Sequence, residues 1–291
     1  MQTVNFNEVK EKLYGIDVKE NANVGALTRY GTGGNANLLI TPKSTSELVF
    51  TINALKGVCP YAVIGNGSNL LVSDKGYYGA VITTKLLTKT ELKGNLLIAE
   101  CGAKLSDLVK ECALNSLSGL EFATGIPATV GGAISMNAGC YGKTISDNVL
   151  YVVTENGTVK KADCGFSYRQ SRFLGGETVI KACFLLIPSE YDQILKQIET
   201  YKTSRKNPKG RSCGSVFKND GYYAGKVIDE CGLKGYKVGG ARVSSEHANF
   251  IIADNGATSL DIYELISKIK SKVSEKRQIT LFEELVYLGE F

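Results

Sequence analysis

The 291-residue chain has no tryptophan, a single histidine, two methionines and five prolines, so several kinds of chemistry are thin from the start. With His247 alone, a multi-histidine metal cluster and a histidine relay are both excluded, and no metal is expected. Eight cysteines are present, but none makes a Cys-x-x-Cys pair. Cys59, Cys101, Cys112, Cys183 and Cys231 sit in apolar runs, which reads as reduced thiols rather than a disulfide frame or a zinc site. No apolar run is long enough to cross a bilayer, and the polar N-terminus has no apolar signal core. A soluble, cytoplasmic protein without membrane contacts is therefore expected. The net charge is only +5. That excess suits small anions but is too scattered for a nucleic-acid surface.

What is present is an ordinary enzyme composition, 43% hydrophobic and 22% charged, which argues against disorder. The length favours two or three subdomains over one. Residues 1–20 read as a short amphipathic helix. Strands are expected at 38–40, 61–64, 70–72, 80–83 and 96–100. Helices are expected after Pro42, with Ser44 or Ser46 as cap, and at 104–113. Glycine and alanine dominate 119–142, which is too irregular for one regular element. Asn156-Gly157 closes a hairpin between strands 149–154 and 158–161, because Asn-Gly accepts the positive φ angles of a tight turn. A strand at 178–187 and a helix at 191–203 follow, and the basic stretch SRKNPKGRS then marks a boundary. Beyond it come a helix at 224–230, strands at 241–243 and 249–253, a helix at 260–276, and a final strand at 281–288. The last helix carries apolar residues at Ile262, Leu265, Ile266, Ile269 and Val273.

Two glycine-rich loops, Gly31–Asn35 and Gly65-Asn66-Gly67-Ser68-Asn69, could converge backbone N–H groups on phosphate oxygens. Neither fits the GxGxxG rule, since strand rather than helix follows the second, and no Walker lysine–serine pair exists. A third segment, Gly125-Ile126-Pro127-Ala128-Thr129-Val130-Gly131-Gly132-Ala133, then Asn137 and Gly139, is nearly free of large polar side chains. It offers the close backbone approach that a flat ring system needs.

Taken in order, these segments resemble the UDP-N-acetylenolpyruvoylglucosamine reductase family. The matching stretches are TRYGTGG from Thr28, GNGSNLLV from Gly65 and GLEFATGIPATVGGAISMNAG from Gly119. The second half continues with YRQSRF from Tyr168, GSVFKN from Gly214, SEHANFI from Ser245 and EELVYLG from Glu283. Ala128 stands where the family commonly has glycine, Cys140 where alanine is usual, and Arg205-Lys206-Asn207-Pro208 where Lys-Gln-Pro is usual. The short spacing from Arg169 to Ser215 suits the compact branch of the family, which lacks a tyrosine-bearing loop over the substrate.

The resemblance implies an α+β protein: a two-subdomain FAD-binding fold of the vanillyl-alcohol-oxidase (PCMH) type, followed by a smaller α+β substrate-binding domain. The expected division is 1–27 as a helical lead-in and 28–188 for FAD, with subdomains about 28–86 and 87–188. Residues 189–291 then bind substrate, the last strand returning a glutamate to the site. FAD is expected non-covalently, held by Gly65, Asn66, Gly67, Ser68, Asn69, Gly125, Ile126, Pro127, Thr129, Gly131, Gly132, Ala133, Asn137 and Gly139. No histidine lies in that half, so no histidyl tether is expected, and His247 reads as structural or substrate-adjacent. The implied reaction uses NADPH to reduce the enolpyruvyl ether of a UDP-sugar. Arg169 and Glu284 would stabilise an enolic intermediate, and Ser215 would donate a proton to carbon. Tyr168, Lys206, Lys218 and Asn219 are the candidate substrate contacts, and a monomer is expected. An alcohol oxidase or dehydrogenase of the same fold, or a flavin-binding module without activity, remain as alternatives.

Overall fold

The computed structural model describes residues 4–291, and some of its helices start where a side chain takes the first unpaired N–H groups. Asn5 Oδ1 accepts from Asn7 and Glu8 at the head of α1 (Phe6–Lys12). Of the two serines considered for α2 (Thr45–Leu55), Ser44 is the cap, its Oγ accepting from Glu47 N at 3.1 Å. Leu48, Ile52 and Leu55 then form its buried stripe. Further helices are α3 (Leu105–Leu114), α4 (Val130–Ser135), α5 (Tyr191–Ser204), α6 (Ala224–Glu230) and α7 (Ser259–Arg277). Among the described residues, no helix is long and apolar enough to cross a membrane.

By packing, the chain divides into two units. The first comprises residues up to 18, 40–66 and 81–206. It is built on a five-stranded antiparallel sheet in the order Gly157–Lys160, Val149–Thr154, Val179–Leu185, Leu96–Glu100, Thr90–Lys93. The central strand is buried on both faces, with Val179, Ile180, Ala182, Cys183 and Phe184 all inaccessible. It packs against both α2 and α4. The Asn156-Gly157 hairpin forms as the sequence indicates, in the register Thr154↔Gly157 and Tyr151↔Lys160. Within residues 119–142, where no long element is expected, the chain makes only a 3-10 turn at Glu121–Ala123, the six-residue α4 and a two-residue strand.

The second unit comprises residues 19–39, 67–80 and 207–291. Its core gathers Tyr30, Leu71, Phe217, Ile228 and Val243 around α7. The spacing read on that helix is its buried stripe: Ile262, Leu265, Ile266, Ile269 and Val273 are each at most 1% exposed. A three-stranded antiparallel sheet, Lys237–Val238, Ala241–Val243 and Ile251–Ala253, packs on α7. The strand Leu70–Val72 pairs in parallel with Val286–Leu288.

Both ends of the chain differ from the sequence reading. The N-terminal helix ends at Lys12 and a strand, Asp17–Asn23, follows; Gly15, at φ +87, turns the chain between them. Residues 1–3 of that expected helix lie outside the described residues. The final strand, expected over 281–288, is regular only at Val286–Leu288. Glu283 bridges Phe217 instead, so the segment changes partner midway and no single ladder spans it.

The start of α7 is closed twice. Thr258 and Asp261 form a capping box, and the carboxylate of Asp74 accepts from Ser259 N at 3.0 Å and Leu260 N at 2.8 Å. Asp74→Ala is expected to cost about 1–2 kcal/mol, and Asp74→Asn, which keeps an acceptor, clearly less. Urea unfolding of the two variants followed by far-UV circular dichroism checks the order; equal losses would remove Asp74 as a cap.

Candidate active site

In the first unit, the glycine loop and the third glycine-rich segment meet. Asn66 Nδ2 donates to Pro127 O at 2.7 Å. Gly65 lies so close to Thr129 that a Cβ at 65 would collide with Thr129 Oγ1. That hydroxyl belongs to a residue only 5% exposed and has no hydrogen-bond partner among the described residues. The Thr124 hydroxyl, five residues earlier, is likewise buried and unpartnered among the described residues. Buried hydroxyls are normally satisfied, so two in one loop mark a surface built to meet polar groups from elsewhere.

The segment does not offer all its amides. Val130 N and Gly131 N are taken by Ala103 O and Cys101 O, both at 2.8 Å, and Leu105 N reaches back to Ala128 O at 3.0 Å. These bonds set residues 128–131 down on residues 101–105, leaving α4 to begin beside Gly65. Asn137, expected at the cofactor, is 4% exposed and spends its side chain inside the protein. Its Nδ2 donates to Ser167 O at 2.8 Å, and its Oδ1 accepts from Ser146 N at 3.3 Å.

Those bonds matter for Arg169. Ser167 and Gln170 close a tight turn by bonding each other's backbones, and Arg169 sits in it at φ +54. Its Nη2 donates to Gly139 O at 2.9 Å, and its guanidinium lies 5.2 Å from the centre of the Tyr168 ring. Ser171 Oγ donates to Ser135 O at 2.8 Å. The turn carrying Tyr168 and Arg169 is thus fastened to residues 135–139 at three points. Lys206, by contrast, is exposed in the irregular stretch after α5.

In the second unit, Ser215 and Glu284 are held to one backbone crossing. Ser215 bridges Phe250, Val216 N donates to Asn249 O at 2.9 Å, and Glu284 N donates to Val216 O at 2.8 Å. Asn69, from the same loop as Gly67 and Ser68, donates through Nδ2 to Glu284 O at 2.9 Å. Asn249, to which the sequence reading gave no role, grips Phe217 from both sides: its Oδ1 accepts from Phe217 N at 2.9 Å and its Nδ2 donates to Phe217 O at 2.8 Å. Lys218 N joins Phe282 O at 2.8 Å, and Asn219 Oδ1 accepts from Ala224 N at 3.0 Å. Glu283, next to Glu284, is engaged by Lys270 at 2.7 Å. Cys213 stays protonated: burial pushes its thiol up to about 11, so a thiolate does not compete beside Ser215. His247 Nδ1 accepts from Asn249 N at 3.3 Å, and burial lowers its basicity.

A family model described as a UDP-N-acetylenolpyruvoylglucosamine reductase C-terminal domain matches residues 205–288, and an FAD binding domain model matches residues 36–163. The UDP-N-acetylenolpyruvoylglucosamine reductase of Carboxydothermus hydrogenoformans is 40% identical, with the whole of both chains covered. The chain belongs to this family. The reductase of Caldicellulosiruptor bescii is also 40% identical over 98% of this chain and 95% of its own. The crystal structure of the Thermus caldophilus reductase superposes with a TM-score of 0.82 at 35% identity, covering 94% of this chain and all of that one. A berberine bridge enzyme variant, at 18% identity and a TM-score of 0.50 over 64% of this chain and 44% of that one, shares the fold alone. The expected FAD-binding fold with a C-terminal family domain is therefore met, and the chain is an FAD-dependent oxidoreductase.

The residues fit FAD. A glycine packed directly on Thr129, two unpartnered hydroxyls and an asparagine bracing the two loops suit a cofactor with a diphosphate and a flat ring. Among the described residues, no group of three or more metal-ligating side chains could hold a metal ion.

Two outcomes are expected. Gly65→Ala should cut FAD retention at least about tenfold, because the new methyl meets a buried hydroxyl that cannot retreat freely; flavin absorbance per protein after dialysis is the check, and full retention would sink it. Asn137→Asp should cost about 1–3 kcal/mol in urea unfolding, since a carboxylate oxygen would face Ser167 O. An unchanged midpoint would contradict that.

Proposed function

We propose that the chain reduces UDP-N-acetylenolpyruvoylglucosamine to UDP-N-acetylmuramate for peptidoglycan synthesis, as a cytoplasmic monomer with NADPH as the reductant. The relatives of that name, matched over the whole chain, support the reading. The observation that carries it is local: Arg169, Ser215 and Glu284 stand in family-like sequence, and each is tied to fixed backbone rather than left on a loose loop. Residues 28–188 would hold FAD and 189–291 the UDP-sugar, in keeping with the family models at 36–163 and 205–288.

The chemistry follows from the substrate. Bound FAD supplies the hydride that adds to the terminal carbon of the enolpyruvyl group. Negative charge then arrives on the neighbouring carbon and its carboxylate. Arg169, whose guanidinium keeps its charge, holds the carboxylate through paired N–H donors. Glu284 shares a proton with the enolic oxygen. Ser215 Oγ gives its proton to the carbon and regains one from solvent. A hydroxyl is a weak acid, but a carbanion-like centre is a strong enough base to take its proton. Tyr168, Lys206, Lys218 and Asn219 are the substrate contacts of this reading. The FAD contacts are Gly65 to Asn69 together with Gly125, Ile126, Pro127, Thr129, Gly131, Gly132, Ala133, Asn137 and Gly139.

The test is anaerobic. Flavin reduced with NADPH should reoxidise promptly when UDP-N-acetylenolpyruvoylglucosamine is added; a reduced flavin that ignores it would point to an oxidase or dehydrogenase instead. Ser215→Ala should leave flavin reduction by NADPH intact and slow reoxidation by substrate about 10²- to 10⁴-fold. If both half-reactions slow together, Ser215 is not the proton donor.

A further inference from the structure

Arg205 has no part in the chemistry above, yet the first unit builds a seat for it. Its side chain lies flat on Gly125: a Cβ there would come within 2.8 Å of Arg205 Cδ and 3.3 Å of its Nε. Gly125 also sits at φ +74, so the position is closed to other residues on two counts. Nη1 donates to Thr124 O at 2.8 Å, which fixes the plane of the guanidinium. The Nε–H is buried and has no hydrogen-bond partner among the described residues, and the hydroxyl of Thr124, whose carbonyl Nη1 bonds, is in the same condition.

The placement has a cause outside Arg205 itself. Arg205 is the first residue after α5, and α5 is pinned at its last turn. The Tyr141 and Tyr201 rings stack with centroids 4.7 Å apart, and Tyr141 Oη donates to Tyr201 O at 3.0 Å. Tyr141 accepts a φ of +56 in making this contact. The helix end is thereby tied to the chain just beyond Gly139, and Arg205 is delivered onto residues 124–125.

A fixed, always-charged group with a buried unsatisfied donor calls for an acceptor, and a negative one is favoured. We propose that Arg205, together with the Thr124 hydroxyl, binds negative charge on the bound FAD. This rests on the reading of residues 125–139 as cofactor-binding. FAD offers that charge in two places: the diphosphate, which carries it permanently, and the isoalloxazine ring, which gains it on reduction. Arg205 on the diphosphate holds both redox states equally. Arg205 on the ring holds the reduced state better and raises the reduction potential.

Holoenzyme carrying Arg205→Gln separates the two. FAD retention is measured by dialysis of the oxidised protein, and the two-electron potential by equilibration with a reference dye. For ring contact, reduced FAD loses about tenfold in binding relative to oxidised, a fall of about 30 mV in potential. For diphosphate contact, retention falls about tenfold and the potential stays put. A variant within twofold of the parent on both readouts overturns the proposal. If Arg205→Gln does not fold, Arg205→Lys decides. It keeps the charge but lacks the Nε donor, and a loss of about threefold is expected on one readout; parent-like values on both would again overturn it. Neither readout uses NADPH or the UDP-sugar. A wrong substrate assignment therefore leaves the Arg205 result standing, while a normal anaerobic turnover with an indifferent Arg205 variant removes only the arginine's role.

Discussion

The second unit depends on one long-range pairing, the parallel seating of Val286–Leu288 beside Leu70–Val72. Asn69 and Glu284 are 215 residues apart in sequence and joined at 2.9 Å. Val286 N closes on Asn69 O at 3.0 Å, and Ser73 N closes on Leu288 O at 2.8 Å. With both strand ends fastened, Glu284 has little freedom in where its backbone can lie. Its N–H then reaches Val216 O, and Val216 N reaches Asn249 O, so Ser215 inherits its position from the same crossing. Such a pairing is costly to find during folding, because loop closure must precede any gain from contact. Once formed, it sets the backbone positions of both Glu284 and Ser215.

How much of this was legible depends on whether the signal was local. α6 and α7 could be read almost to the residue, and for α7 the apolar spacing is a property of adjacent turns. The glycine-rich 119–139 stretch could be read as a ligand surface from its lack of side chains, but the reason for each glycine could not. Gly65 is needed for Thr129 and Gly125 for Arg205, partners far off in the chain. The strand Asp17–Asn23 escaped notice because it is polar and mostly exposed, with no alternation to betray it. The last strand was read too long because periodicity reports an extended chain, not a change of partner from Phe217 to Leu70–Val72.

The candidate site divides along the same line. Residue identities at Arg169, Ser215 and Glu284 came from sequence resemblance, while their supports came from the structure. Asn137 shows the difference. The motif names it for the cofactor, and the structure adds that its amide bonds Ser167 and Ser146. Asn249 was quoted only as part of a motif, yet it clamps Phe217 at both backbone atoms. A side-chain amide can serve either purpose, and only its partners tell which. The basic stretch after α5 drew attention to Lys206, which is exposed, while its neighbour Arg205 lies on the glycine segment.

Arg169 shows why these supports are needed. A left-handed backbone costs a side-chain-bearing residue of order 1–3 kcal/mol, and its local sequence offers nothing to offset that. The turn persists because it is over-determined. Asn137 holds Ser167, Ser171 holds Ser135, and the guanidinium itself bonds Gly139 O. Two of these three bonds do not involve Arg169, so the turn keeps its shape whatever the guanidinium is doing. An arginine on an ordinary surface loop would have to be ordered when a carboxylate arrives, and that entropy would be lost from binding. Here folding already orders the turn, through an asparagine and a serine. The strained φ is therefore the local cost of holding the guanidinium at a set angle against residues 135–139.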